Sequence, residues 1–328
     1  MTSRIKALAD PMLAVLIIGI ACALLFPAEG QAQERIKLVS NIGIFVLFLL
    51  NGIRVSHGEM AQAVTNWRYF FPLFVWIFGV MALVGWAMSL AVGNFAPPLI
   101  ALGFLYLGIL PSTIQSATSY TTLAEGNIAL AVVGAAVINI AGVFVSAPLF
   151  AIMGGGAVAD LGSDAIIRIG TILVLPFVIG QVLQHWTRGW VIERKQRIVW
   201  LDRFVIGLAV YVAFSGAVAQ GLTELLDVAG WIVLAAGVVA FLALASFGSW
   251  VAGGVLGYDR RDRIAFFFAA SQKSVAMGAP LAAILFAPKV GGFLIAPLLL
   301  YHLLQLVIAA PIAAYFTRSD PALPRASG

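Results

Sequence analysis

The sequence predicts an all-α polytopic membrane protein of ten transmembrane helices in two inverted five-helix repeats, with helices four and nine broken and crossing. Three observations predict it: composition, the lengths of the apolar runs, and the sorting of basic residues to one side. Of the 328 residues, 62% are hydrophobic and only 10% charged, against roughly 25% charged in an ordinary soluble domain. Apolar runs of about 20 residues, each enough to cross a hydrocarbon core roughly 30 Å thick, fill nearly the whole chain. No room remains for a soluble domain, so residues 1–328 read as a single transmembrane domain. The alternating pattern of an outer-membrane barrel is missing, and helices are the other way to satisfy backbone polar groups in lipid.

The first five spans are read at about 11–27, 37–55, 69–92, 97–122 and 127–153. The second five are read at about 165–186, 202–221, 228–256, 262–287 and 291–316. Repeat one therefore covers about 11–153 and repeat two about 165–316, separated by the turn-forming stretch Gly154-Gly155-Gly156 through Gly162-Ser163-Asp164. Arg4 and Lys6 before the first apolar run could suggest a signal peptide, but Phe26-Pro27-Ala28-Glu29 is a poor cleavage site. Span one is expected to be a retained helix.

A wrong span count would scramble Lys and Arg between the two sides of the membrane. Arg4, Lys6, Arg54, Arg68, Arg188, Arg194, Lys195, Arg197, Arg203, Arg260, Arg261, Arg263, Arg318 and Arg325 all fall on the side of both termini. The opposite side holds Arg35, Lys37, Arg168 and Lys289, which leaves Lys273 as the last of the nineteen basic residues. The termini are thus expected in the cytoplasm of a multi-pass inner (plasma) membrane protein. The net charge of +5 is explained by topology, not by nucleic acid, since no basic stripe interleaved with aromatics exists. Cys22 is the single cysteine, so no disulfide framework or thiolate metal site can be built within the chain.

An odd number of spans per half turns the second half upside down, a pattern typical of secondary transporters. Weak echoes support the repeat. Span four contains Pro111-Ser112-Thr113-Ile114-Gln115-Ser116 and span nine contains Ala270-Ser271-Gln272-Lys273-Ser274. Ser146-Ala147-Pro148 on span five is matched by Ala309-Ala310-Pro311 on span ten. Broken helices would bring half-helix termini and freed carbonyls together near the midplane as an ion and substrate site. The plainer alternative is a kink at Pro111 with Ser and Thr bonding back to their own helix.

Lys273 is the sharpest signal. A lysine near the centre of a span costs roughly 2.5 to 3.5 kcal/mol on insertion scales, and the fourteen acids all read as lying in or beside loops. Lys273 therefore needs a substrate anion, carbonyl oxygens or loss of its proton. Snorkelling to the cytoplasmic face is the bland alternative, but ten residues of helix separate it from Arg263, about 15 Å. Candidate ion- and substrate-binding residues are Ser112, Thr113, Gln115, Ser116, Thr118 and Ser119 on span four, and Ser271, Gln272, Lys273 and Ser274 on span nine. His302 and Gln305, one turn apart on span ten, could line the cavity or relay a proton, or simply satisfy a neighbour. Asn41, Asn51 and Asn139 read as interhelical bonds. An enzyme pairing Ser271 or Ser274 with Lys273 is a different class of function, weakened because adjacent residues on a helix point about 100° apart. A channel is a third class, opposed by the lack of a continuous polar stripe through the other spans.

These residues resemble the bile-acid:sodium symporter family, in particular its orphan cotransporter-seven-like branch. The resemblance rests on Phe48-Leu49-Leu50-Asn51-Gly52-Ile53, on Pro111 through Ser116 followed by Leu123-Ala124-Glu125-Gly126-Asn127, and on Ser271-Gln272-Lys273-Ser274. It implies a panel domain of spans one, two, six and seven, a core domain of the rest, and alternating access by core against panel. It also implies a symporter-like carrier of a small organic anion, not an enzyme, with no cofactor beyond a sodium coupling ion near Ser116 and Gln272. The chain departs from the family pattern where its bile-acid carriers place a glutamate and an asparagine on span nine, because Phe268 and Lys273 stand there. The asparagine of span four corresponds to Ala117, and the sodium-binding residues of span five to Ala131 and Ala135. An ammonium at Lys273 would repel a sodium ion a few ångströms away by several kcal/mol at an effective dielectric near 20. Coupling to protons, to no ion, or to sodium through a rebuilt site all stay open.

Overall fold

The computed structural model describes residues 11–56, 58, 65–154, 167–221 and 227–318, and these contain helices and no strand. The glycine-rich separator beyond Gly154, His57, and the basic residues Arg4, Lys6 and Arg325 lie outside the described residues. In chain order the helices are α1 (Pro11–Leu25), α2 (Gly30–Arg54), α3 (Trp67–Val92), α4 (Pro98–Gly108), α5 (Ile114–Leu123) and α6 (Ile128–Gly154). They continue as α7 (Ile167–Glu193), α8 (Lys195–Val218), α9 (Val228–Val255), α10 (Arg260–Ser271), α11 (Val275–Leu285) and α12 (Pro288–Arg318). Seven of these, α2, α3, α6, α7, α8, α9 and α12, are long and apolar enough to cross a membrane. The others are the 15-residue α1 and two pairs of half-length helices, α4 with α5 and α10 with α11.

The halves of each pair correspond to the interruptions expected in spans four and nine. In the first, Pro111 lacks an N–H and disfavours helical backbone at Leu110, so α4 stops at Gly108 and α5 restarts at Ile114. In the second there is no proline at the break. Gln272 and Ser274 are extended, and the Ser274 hydroxyl accepts from the Met277 N–H at 3.2 Å, capping α11.

Several expected boundaries move: the helix read to end at 186 runs to Glu193, and the one read to start at 202 begins at Lys195. Helix α2 begins at Gly30, so Glu34 and Arg35, read as preceding span two, lie within it. Polar residues extend a helix past the hydrocarbon edge without ending it, because backbone hydrogen bonding does not depend on the solvent outside.

Close packing depends on small residues at crossings, as usual where lipid supplies no hydrophobic drive between helices. A Cβ added to Gly52 of α2 would lie 2.2 Å from the Phe177 carbonyl oxygen of α7, and one on Gly180 would lie 2.2 Å from that of Leu49. Helices α1 and α2 pack on α8, which in turn packs on α11 and α12. Helix α4 packs between α3 and α12, where Gly85 and Gly103 leave room for its backbone and for Pro297. In α7 a π-helical turn over Gly170–Val174 precedes Pro176 and contains Ile172, the residue whose carbonyl a proline would otherwise strike. Large apolar side chains such as Ile18, Phe204 and Phe247 stand more than half exposed on the outer surface, as a lipid-facing belt requires.

Candidate functional site

The two interruptions meet. Where a helix is unwound in a dry interior every freed N–H and C=O needs a partner, and each freed group traced here finds one on another element. The Ser274 N–H donates to the Pro111 carbonyl at 3.0 Å, joining one break directly to the other. The Thr113 hydroxyl donates to the Lys273 carbonyl at 2.8 Å. From α12, the Gln305 side chain accepts from the Lys273 N–H at 2.8 Å and donates to the Lys273 carbonyl at 3.0 Å, as a neighbouring strand would. The Tyr301 hydroxyl donates to the Ser271 carbonyl at 2.5 Å. From α6, Asn139 donates to the Ser112 carbonyl at 2.6 Å and the Ser146 hydroxyl to the Ile109 carbonyl at 2.9 Å. Gly142, on the same helix, leaves the space that Pro111 fills, since a Cβ there would lie 2.8 Å from the proline ring.

Lys273 completes the set. Its side chain is fully buried, and Nζ donates to the carbonyl oxygens of Gly108 and Leu110 at 2.8 Å each. Of the three partners the sequence left open, carbonyl oxygens are the ones present, and the snorkelling alternative is excluded by this burial. The ion pairs among the described residues are Arg54 with Asp202 at 2.7 Å and Arg194 with Glu193 at 3.3 Å. Neither involves Lys273.

The sequence-predicted site residues divide into two groups. Ser112, Ser116, Ser271, Gln272, Lys273, Ser274, His302 and Gln305 are buried together around the crossing. Within this group the Ser116 hydroxyl donates to Gln272 Oε1 at 2.9 Å. The Gln305 amide nitrogen is also 2.7 Å from His302 Nδ1, so an amide donating there requires that nitrogen to accept. Gln115 and Ser119, one turn apart on α5, are exposed, with Thr113 and Thr118 half-buried beside them. The first turn of α5 carries no acid, and no side chain caps its N–H groups. Gln115 and Ser119 thus put polar side chains on the exposed side of a half-helix whose N-terminal end is electrostatically positive. The hydroxyl oxygens of Ser112 and Thr118 are buried without a hydrogen-bond partner.

Sequence reasoning missed several participants. Tyr106 of α4 donates to the Gly278 carbonyl at 2.6 Å, and Tyr120 of α5 to the Leu306 carbonyl at 2.8 Å. Asp202, read as beside a loop, lies inside α8 in its ion pair with Arg54. Asn139 was expected to bond between helices and does so, to a carbonyl of the broken segment. Asn51 accepts from Arg54 at 3.3 Å, on its own helix. Asn127, in the expected turn, donates to Asp262 at 2.8 Å and ties α6 to the start of α10. Among the described residues no three His, Cys, Asp or Glu side chains gather to hold a metal ion.

Two broken helices that interlock at buried interruptions within a multi-helix membrane protein are the arrangement found in many membrane transporters. The chain is a member of the SBF-like CPA transporter family, whose profile matches residues 10–318. It is 36% identical over 318 residues to "Uncharacterized protein PA2026" of Pseudomonas aeruginosa, covering 96% of this chain and 95% of the relative. To "Putative symporter YfeH" of Escherichia coli it is 30% identical over 319 residues, covering 96% and 95%. To "Sodium/bile acid cotransporter 7" of Mus musculus it is 23% identical over 317 residues, covering 90% and 88%.

Proposed function

We propose that the chain is a secondary active carrier that moves a small organic anion across the inner membrane by alternating access. Counting each half-helix pair as one pass gives ten passes in two inverted repeats, about 11–153 and 165–316, with both termini cytoplasmic. Helices α1, α2, α7 and α8 form the panel in this reading, and the remainder form the core. The observation that carries the substrate class is the open face of α5. Its uncapped N-terminal turn, with Gln115 and Ser119 exposed and Thr113 and Thr118 alongside, offers donors to an anion and no competing carboxylate. The names of relatives carry the same sense, one as a symporter and one as a sodium and bile acid cotransporter. A carboxylate or sulfonate on an amphipathic body fits a face bordered by the exposed Ile114 and Leu123.

The test is a thermal-shift screen of the purified protein against carboxylates and sulfonates of increasing apolar bulk. An anion that binds raises the unfolding midpoint by mass action. Gln115→Ala with Ser119→Ala removes two donors to a charged ligand, about 1.5–3 kcal/mol each, so affinity is expected to fall at least tenfold. A screen in which no organic anion stabilises the protein, or a double variant that responds like wild type, would remove the basis for this reading.

A further inference from the structure

The carbonyls that hold Lys273 are of one kind. Gly108 ends α4 and Leu110 lies two residues beyond it, so both belong to the C-terminal turn of a half-helix that stops inside the protein. The last carbonyls of a helix lack intrahelical donors, and the helix dipole makes that end negative. Buried carbonyl oxygens converging at a negative helix end are hard-oxygen ligands for a small monovalent cation. Here the cation belongs to the chain, with Nζ at 2.8 Å from each oxygen. Its root is held as firmly as its tip. Gln305 binds both backbone groups of Lys273, Thr113 adds a second bond to its carbonyl, and the next residue is tied to Pro111.

We infer that the Lys273 ammonium is a built-in cation that occupies the end of α4 in place of a diffusible ion, so that the crossing is complete without bound sodium. The neighbouring groups agree. Gln272 Oε1 is engaged by the Ser116 hydroxyl at 2.9 Å, which ties α5 to the second break without a metal ion. Neither ion pair among the described residues lies there to balance a second positive charge. A free sodium ion near Ser116 and Gln272 would add a second positive charge beside the ammonium with no carboxylate ion pair to offset it, and so does not fit this arrangement. The assignment also separates two roles: Lys273 is a positioning residue whose donors face carbonyls, while the substrate anion is left to α5. Its consequence for coupling rests on the carrier reading; its occupancy of the site does not.

The experiment reads stability, so it is independent of transport. The unfolding midpoint of purified wild type, Lys273→Ala, Lys273→Met and Lys273→Arg is measured in sodium chloride and in choline chloride of equal ionic strength. Wild type and Lys273→Arg are expected to show no difference between the two salts. Lys273→Ala is expected to unfold at a lower temperature in choline and to regain part of the loss, saturably, in sodium or ethylammonium chloride. Lys273→Met fills the volume without a charge and is expected to be neither as stable as wild type nor rescued. A saturable rise of the wild-type midpoint with sodium overturns the inference even if no variant folds. So does a Lys273→Met as stable as wild type, which would reduce the ammonium to a space filler.

Discussion

Gln305 holds an unwound segment by both ends of one amide. Replacing it with leucine keeps the volume but strands the Lys273 N–H, whose acceptor is Gln305 Oε1. The Lys273 carbonyl keeps Thr113 as a donor, so of the two backbone groups of Lys273 only the N–H is left bare. A buried unsatisfied donor costs about 1–3 kcal/mol, and Gln305→Leu is expected to lose that much in a thermal or denaturant unfolding series. Equal stability of the leucine variant and wild type would show that the segment is held by its other contacts. The same residue shows why the site was only half legible. Gln272, Lys273 and Ser274 stand out in sequence because polar side chains in an apolar run need a reason to be there. Their partners are mostly backbone carbonyls, which every residue has. Nothing in the sequence singles out Gly108, Leu110 or the Gly278 carbonyl that Tyr106 reaches across 172 residues. The Arg54–Asp202 pair was hidden differently, because charges at span ends already had an explanation in topology.

At the level of elements, α2 and α7 touch through backbone. The atoms that a Cβ on Gly180 would meet are the Leu49 carbonyl at 2.2 Å and the Gly52 Cα at 3.0 Å, and neither can rotate away. Gly180→Ala must therefore push the two helices apart, at the 1–3 kcal/mol typical of overpacking. Gly189, two and a half turns further along α7 at about 3.6 residues per turn, has nothing within 4 Å of an added Cβ. Gly189→Ala is expected to be neutral or slightly stabilising, since alanine favours helix by up to about 1 kcal/mol over glycine. Unfolding midpoints of the two variants check this, and a neutral Gly180→Ala would mean the crossing is looser than drawn. Helix breaks were legible where chemistry forced them, at Pro111 and in the polar run before Val275. The start of α2 was not, because hydropathy marks where lipid begins and not where a helix does.

Across the whole molecule the two ends of the proposed pathway are unequal. Near the C-terminal end of α8, Ala213 and Ala217 meet the first turns of α12 so closely that a Cβ on Gly291 would lie 3.6 Å from that of Ala213. At the other end, the exposed polar face of α5 runs from the crossing toward Leu123 and the turn bonded to Arg261. On the proposed topology, in which the basic Arg194–Lys195 side of α8 is cytoplasmic, the contact between α8 and α12 would close the outer end and α5 would open toward the cytoplasm. Alternating access then requires that this contact part once per cycle. A Cβ separation of 3.6 Å lies within the range that a disulfide spans, so Ala213→Cys with Gly291→Cys should lock the outer end under oxidant. Cys22 is exposed and the single native cysteine, so the background is Cys22→Ser. A reporter at Ser119→Cys, on the open face, reads the state without knowledge of the substrate. Membrane-impermeant maleimide is expected to label it readily in inside-out vesicles and slowly in intact cells. Cross-linking should abolish the slow labelling from outside, leave the cytoplasmic labelling intact, and be reversed by reductant. Labelling from outside that persists through the cross-link would mean that the outer contact is not a gate, and that the core moves against the panel along some other seam.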